Sequence, residues 1–252
     1  MSNIQDTLQN FQAITLEKMN DVKLLDRVDR KFICSVEKFE SVFEKLTEFY
    51  YILEINGIRN FQYSTVYFDT DNFLFYTQHH NGKRNRNKIR QRSYVETGVH
   101  FFEIKHKSNK GRTTKYRMQV RNPATTLTDR KVDLIKKHVI DVDIERLFPK
   151  ITIKFKRITL VSKLFNERIT IDTELNYDNG LKTASYPNIA IFELKQSCRI
   201  SSHASNTMRE ERIRKKSISK YCLGIASLYE GVKLNNFKTK FNSIKKISNE
   251  NI

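Results

Sequence analysis

Three consecutive segments between Lys88 and Arg121 alternate charged residues with apolar or neutral ones. They are 88–94, 102–107 and 113–120, and a period of two is the signature of a β-strand, whose successive side chains point to opposite faces. Lys88, Arg90 and Arg92 therefore project together, as do Glu103, Lys105 and Lys107, and as do Lys115 and Arg117. Same-face neighbours lie roughly 6.5–7 Å apart along a strand, and adjacent strands about 4.8 Å apart. Side by side, the three segments make a dense cationic face with one embedded carboxylate. Like charges this close are unfavourable unless a polyanion neutralises them. A solvated face of an open sheet would explain any one of these strands. Three in succession point instead to a ligand rich in phosphates.

The same polarity recurs further on. In 167–173, Arg168, Thr170 and Asp172 share one face, and Ile169 and Ile171 the other. In 191–195, Glu193 and Lys195 share one face, and Phe192 and Leu194 the other. A barrel with a polar lumen and an apolar exterior packed on helices satisfies this pattern, and closing the sheet removes exposed edges. The expected fold is therefore α+β: an antiparallel β-barrel of about eight strands enclosing a polar, basic tunnel, with flanking helices.

Local signals fill in the remainder. Helices are expected over 3–14, from the N-cap Ser35 onward (Val36, Phe39, Val42, Phe43 and Leu46 at helical spacing), over 128–147, and over about 207–230. The last includes a basic run from Arg209 to Lys220, readable as a solvated face, a membrane-surface patch or a lid on an anion site. Strands are expected over 27–33, 61–69, 151–165, 167–173 and 189–195. Asn81-Gly82 marks a loop, and Lys110-Gly111 the hairpin turn between the second and third basic strands. The tail after Lys233 is polar and reads as frayed.

Composition narrows the partners. The 252 residues include 46 Lys+Arg against 28 Asp+Glu, a net charge of +18 that favours nucleic acid, an anionic membrane, or a phosphate polymer or nucleotide. Cys34, Cys198 and Cys222 are odd in number and lack CxxC spacing, which points to free thiols in a reducing compartment. Neither a secretory signal nor an 18-residue apolar run is visible. The default location is the cytoplasm, with a peripheral position at a membrane left open.

Two Glu-x-Lys pairs, Glu103/Lys105 and Glu193/Lys195, sit on charged faces. One copy reads as an ion pair along the strand; two suggest metal plus phosphate chemistry, since a hard divalent cation needs carboxylate oxygens. The histidines show no zinc-ligand spacing, and there is no P-loop, no GxGxxG and no Ser/His/Asp or Cys/His arrangement. Ser219-Lys220-Tyr221, followed by Gly224, is more specific than a plain charge run.

These residues, together with those at 29–32, 67–70, 88–92, 102–105, 112–115 and 192–195, occur in the order seen in the VTC domain. The chain thus resembles the catalytic domain of the vacuolar transporter chaperone polyphosphate polymerase, also found in bacterial proteins. The resemblance runs from residue 24 to about 230, and it divides the chain into an N-terminal helical segment (1–23), a tunnel domain (24–232) and a polar tail (233–252). It implies membership of the triphosphate tunnel enzymes, whose antiparallel barrel encloses a tunnel lined by Lys, Arg and Glu. Lys31, Arg90, Arg92, Lys105 and Lys115 then look like phosphate ligands, and Ser219 and Lys220 like helix-borne phosphate contacts. Glu193 resembles the metal-binding glutamate, with Glu103 as a second candidate, for Mn²⁺ or Mg²⁺. Arg157 resembles the arginine of a Tyr-x-Arg motif in which Phe155 here replaces the tyrosine. Alternation groups Arg157 with Ile153 and Phe155, so its tunnel position requires a bulge or the assignment fails. Lys88, Lys107, Arg117 and Lys195 share the charged faces and count as substrate-binding candidates.

The implied activity is transfer of the γ-phosphate of ATP to a growing inorganic polyphosphate chain, with ADP released. The first strand carries Asp29-Arg30-Lys31 where tunnel hydrolases typically show Glu-x-Glu-x-Lys, which weighs against triphosphate or polyphosphate hydrolysis. A nucleic-acid module would need aromatic platforms among the cations; Phe102 and Tyr116 fall opposite the charged faces, which makes nucleic acid the weaker reading, although Phe101 is also present. A catalytically idle polyphosphate sensor stays open. In the eukaryotic family the domain is attached to membrane segments; none is visible here, so a separate membrane partner or a soluble role stays open as well.

Overall fold

The charged meander forms as its alternation dictates. In the computed structural model, which describes residues 4–20, 28–197 and 201–249, the three basic segments are β5 (Arg86–Tyr94), β6 (Val99–Lys107) and β7 (Thr113–Val120). They pair antiparallel with Arg90 opposite Glu103, Glu103 opposite Arg117, and Lys105 opposite Lys115. Before them come β1 (Gln12–Ile14), β2 (Val28–Ser35), β3 (Tyr50–Leu53) and β4 (Asn60–Thr70). After them come β8 (Leu147–Ser162), β9 (Glu167–Asp178), β10 (Thr183–Tyr186) and β11 (Ile189–Gln196). The helices are α1 (Ile4–Asn10), α2 (Leu16–Asn20), α3 (Val36–Lys45), α4 (Leu74–His80), α5 (Asp129–His138), α6 (His203–Glu210), α7 (Lys220–Leu228) and α8 (Lys238–Asn249).

One sheet runs β2-β11-β9-β8-β4-β5-β6-β7, antiparallel at every step. It is strongly rolled. Glu193 on β11 and Lys105 on β6 are five steps apart, about 24 Å in a flat sheet, yet each perturbs the ionisation of the other. Among the described residues the ring of hydrogen bonds does not close, which corrects the expectation of a sealed sheet. Strands β2 and β7 are the two ends of the path. The free edge of β2 is taken by the segment before α7: the Lys216 amide donates to the Lys31 carbonyl at 2.8 Å, and Phe32 bridges to Lys215. Among the described residues β7 stays an open edge, carrying Lys115 and Arg117 as charged edges do.

The apolar faces point outward, as the alternation requires. Phe32, Ile158, Ile169, Ile171, Phe192 and Leu194 pack under Phe39, Val42 and Phe43 of α3 and Met208 of α6. Ile89, Phe102 and Ile104 pack against Phe75 of α4 and Ile135 of α5. The opposite face is polar along part of its length only. At one end Ile151, Ile153, Phe155, Leu175, Tyr177 and Ile191 pack against Tyr221, Leu223 and Ile225 of α7, so that helix fills the rolled sheet from within. Gly224 marks its closest approach, where a β-carbon would overlap the side chains of Ile151 and Tyr177. Gly224→Ala is therefore expected to destabilise the fold: overpacking costs about 1–3 kcal/mol, against a helix-propensity gain of about 1 kcal/mol. Denaturant unfolding checks this, and a stabilised variant would show that α7 has room to shift.

This mixed face accounts for Arg157. It does share a face with Ile153 and Phe155, and that face is the inner one. The bulge lies in the partner strand: the β8–β9 register shifts between Lys154 and Lys156, and Glu174 takes a positive φ of 52°. The extra residue puts Leu175 and Tyr177 on the same face as Thr170 and Asp172.

Several local expectations are corrected. The helix expected over 3–14 stops at Asn10, and 12–14 form β1, parallel to β3. The helix over 128–147 ends at His138, with Asp141 at φ 60° and β8 starting at Leu147. The stretch 207–230 is two helices, and the run from Arg209 to Lys220 is not a helix: it breaks after Glu210, with Arg212 at φ 56°, and runs extended beside β2. The polar tail contains α8, which buries Ile244. Ser35 caps α3 as expected, accepting from the Lys38 amide. Cys34 and Cys222 are free thiols; Cys198 and the 23/24 boundary lie outside the described residues.

Candidate functional site

Three carboxylates organise the charged part of the lumen, each between two cations. Glu103 on β6 accepts from Arg90 Nε at 2.7 Å and lies 3.5 Å from Lys115 Nζ. Asp172 on β9 accepts both arms of the Arg157 guanidinium, at 2.5 and 2.7 Å, and also accepts from Lys220 at the start of α7. Glu193 on β11 is 3.3 Å from Lys195 and 3.9 Å from Lys31 of β2. The lumen side of the sheet thus brings together Lys31, Arg90, Arg92, Lys105, Lys115, Arg157, Lys195 and Lys220. Lys88 joins them, donating to Ser219 Oγ at 2.8 Å, while that hydroxyl also caps α7 by accepting from the Cys222 amide.

Cations outnumber carboxylates here, and the ionisation of the site records it. Burial would raise Glu103, but Arg90, Arg92 and Lys115 hold it at about 2. Burial would likewise raise Asp172 and Glu193, yet Arg157 and Lys220 keep the first, and Lys195 and Lys31 the second, well below the usual carboxylate range. The lysines move the other way. Lys105 is pushed far below the ordinary lysine value, first by Arg90, then by burial and Arg92. Burial lowers Lys88, Lys195 and Lys220. For such a lysine the unfolded chain holds more protons between the folded value and the ordinary one, so stability rises with pH across that window. An anion threaded among these groups relieves the same penalty.

Aromatic rings brace the cations. Tyr63 and Phe155, directly paired across β4 and β8, stack at 5.3 Å. Arg157 lies 4.9 Å and Arg92 5.4 Å from the Tyr63 ring, and Lys220 lies 5.0 Å from that of Phe155. Tyr67 accepts from Arg90 at 3.2 Å; burial would raise its phenol, but Arg90, Arg92 and Lys88 bring it down to about 8. Lys107 lies opposite Arg86 and Thr113 at one end of the meander, two residues beyond Lys105. Arg117 sits over the ring of Phe101, 4.6 Å away. Sequence reasoning assigned no role to Asp172, Tyr63 or Tyr67, although Tyr67 opens the 67–70 segment that carries the family resemblance. Asp172 was visible on a charged strand face, but nothing local marks it as the partner of both Arg157 and Lys220.

The two candidate metal ligands differ. Glu103 is 1% exposed, with one oxygen held by Arg90 and the other facing Lys115, so both are already committed to side-chain cations. Glu193 is 21% exposed, and its ion pairs are long. Directly across from it on β9, Thr170 Oγ1 is buried without a hydrogen-bond partner. No cluster of three or more His, Cys, Asp or Glu side chains arranged for a metal occurs among the described residues. One carboxylate, one free hydroxyl and phosphate oxygens suit Mg²⁺ or Mn²⁺, which take hard oxygen ligands and rarely use all-protein cages. The residues around Glu193 therefore fit a divalent cation that shares its shell with substrate.

Comparison with known proteins agrees with this architecture. A Bacillus halodurans structure described as an adenylate cyclase candidate aligns with a TM-score of 0.51 at 14% identity, over 82% of this chain and 100% of its own. A Hippeastrum adenylyl cyclase candidate, described as having a dominant triphosphatase activity, aligns with a TM-score of 0.50 at 12% identity, over 81% of this chain and 98% of its own. At these identities the likeness is one of fold. Among curated proteins no sequence matches. The family model for the VTC domain matches residues 26–229, a span that includes all three carboxylates and every cation paired with them. The chain belongs to the VTC-domain family.

Proposed function

We propose that this chain is a metal-dependent ATP:polyphosphate phosphotransferase, moving the γ-phosphate of ATP to the end of an inorganic polyphosphate chain and releasing ADP. The observation that carries the reading is the surplus of cations facing one another across the rolled sheet, with Arg90 and Arg92 buried and Lys105 half-buried beside them. A phosphate chain satisfies such a lumen, whereas a solvated face does not need one. The acceptor is already an anionic phosphate oxygen, so no general base is required, and catalysis rests on alignment and charge neutralisation.

Arg90 and Arg92 present planar forks to phosphate oxygens, and Lys31, Lys105 and Lys115 act as point charges along the same path. Glu103 and Tyr67 fix Arg90, and Asp172 fixes Arg157 and Lys220, so these donors are oriented before substrate arrives. Glu193, with Thr170, would hold the divalent cation, which when bound neutralises and bridges phosphate oxygens. Ser219 and Lys220 place the N-terminal end of α7 beside the phosphates. Lys88, Lys107 and Lys195 extend the cationic path. Among the described residues no helix is long and apolar enough to cross a membrane.

Inorganic tripolyphosphate is expected to raise the melting temperature, since a ligand at 100 times its Kd stabilises by about 2.7 kcal/mol. The rise should shrink as salt increases. Absence of a shift at low salt would contradict an anion site in the lumen. Stoichiometry tests the reaction itself: ADP release without matching free phosphate supports transfer, whereas equal ADP and phosphate means hydrolysis.

A further inference from the structure

The cationic tract on β5 and β6 ends in aromatic side chains. On the inner face Arg92 is followed by Tyr94, and Glu103 is preceded by Phe101. Phe101 lies directly between Arg92 of β5 and Gln119 of β7. Its ring meets Tyr94 edge-on at 6.0 Å, and Tyr94 packs on Tyr63 at 4.9 Å. The Arg117 guanidinium sits 4.6 Å over the Phe101 ring. Tyr94 and Phe101 are half-buried, while Arg117 and Gln119 are exposed, so this end opens to solvent. None of these four side chains belongs to the three ion-paired carboxylate centres.

We propose that Phe101, flanked by Tyr94 and Arg117, is a stacking platform for the base of a nucleoside triphosphate whose phosphates lie against Arg92 and the cations beyond it. The identity of the phosphate end rests on the phosphotransferase reading. Phe101 is the cross-strand neighbour of Arg92, about 4.8 Å away in the sheet, and lies one same-face step, roughly 6.5–7 Å, from Glu103 and the Arg90 it holds. At 4.6 Å the Arg117 guanidinium already covers one face of the ring, too close to admit a base, so the exposed arginine swings off the ring and stacks on the outer face of the heterocycle that takes its place. Every base has a π-face, so such a platform tolerates different bases. ATP and GTP are both expected to use it.

The test compares ATP, GTP and inorganic tripolyphosphate by calorimetry on the full chain and on Phe101→Ala. Base–aromatic stacking is worth about 1–3 kcal/mol on alanine substitution, so the variant should lose roughly 5- to 150-fold in ATP and GTP affinity and change its tripolyphosphate affinity by less than about twofold. Phe101→Trp should keep the nucleotide affinity. As the only tryptophan in the chain, it should also be quenched by ATP and not by tripolyphosphate. Equal weakening of all three ligands would make Phe101 merely structural and overturn the platform, as would unchanged ATP affinity. Loss of single-stranded RNA binding with ATP unaffected would also overturn it. If Phe101→Ala shows the nucleotide-specific split but wild type makes no polymer, the phosphotransferase reading falls and the platform stands. If polymer forms without the split, the platform falls and the phosphotransferase reading stands.

Discussion

Glu193→Gln should abolish metal-dependent turnover and leave the fold intact. The neutral amide keeps the shape but removes the charge that a hard cation needs. A loss of roughly 3 kcal/mol of transition-state stabilisation, or about 100-fold in rate, is the minimum expected. Stability should move little, because Glu193 is partly exposed and its contacts with Lys195 and Lys31 are 3.3 and 3.9 Å long. Such long pairs contribute less than a close, fully buried pair, whose loss costs about 3–5 kcal/mol. Rate measured against Mn²⁺ concentration, together with a thermal melt, separates the two effects. Unchanged turnover would remove Glu193 from the site, and a collapsed melt would make it structural.

Asp172→Ala should have the largest effect on stability. Asp172 is 2% exposed and is the shared partner of Arg157 and Lys220, so its removal leaves two half-buried cations facing each other. Breaking a buried pair in this way costs about 3–5 kcal/mol, a large part of the 5–15 kcal/mol typical of a whole domain. It also releases the start of α7 from the sheet, so activity should fall with stability. The pH dependence has a definite sign. Arg157 and Lys220 hold the Asp172 carboxyl below its ordinary value despite burial. Its stabilisation is therefore complete above the unfolded value of about 4 and is lost as pH falls toward the folded one. Wild type should lose stability on acidification more steeply than Asp172→Ala. Denaturant unfolding at neutral and acid pH measures both slopes, and equal slopes would show that the carboxylate carries no net stabilisation.

The strand polarity was readable because alternation is a local property. Lys88, Arg90 and Arg92 share a face in any strand built from that segment, and their apolar neighbours Ile89, Phe102 and Ile104 pack outward beneath α4 and α5. How the sheet ends was not readable: the edge of β2 is capped by residues some 185 positions later, through Lys215 and Lys216. Arg157 looked misplaced because a polar lumen was expected to be polar throughout, whereas α7 lines one end with apolar contacts to Ile153 and Phe155. The β9 bulge at Glu174 carries neither glycine nor proline to announce it. The tail was read by composition as frayed, yet Phe237, Phe241, Ile244 and Ile247 recur at helical spacing and join the inner core. Glu103 and Glu193 are alike in sequence, each two residues before a lysine. Only the fold distinguishes them, by placing Arg90 directly opposite Glu103 and an unpartnered Thr170 hydroxyl opposite Glu193.

The central claim is that the lumen cations serve transfer of phosphate between phosphates. Its most direct test is to incubate the purified chain with Mn²⁺ and ATP labelled at the γ-phosphate, quench with chelator, and follow the label by gel electrophoresis. Label is expected in chains that lengthen with time, accompanied by ADP. Label appearing only as free phosphate, or remaining in ATP, would contradict it.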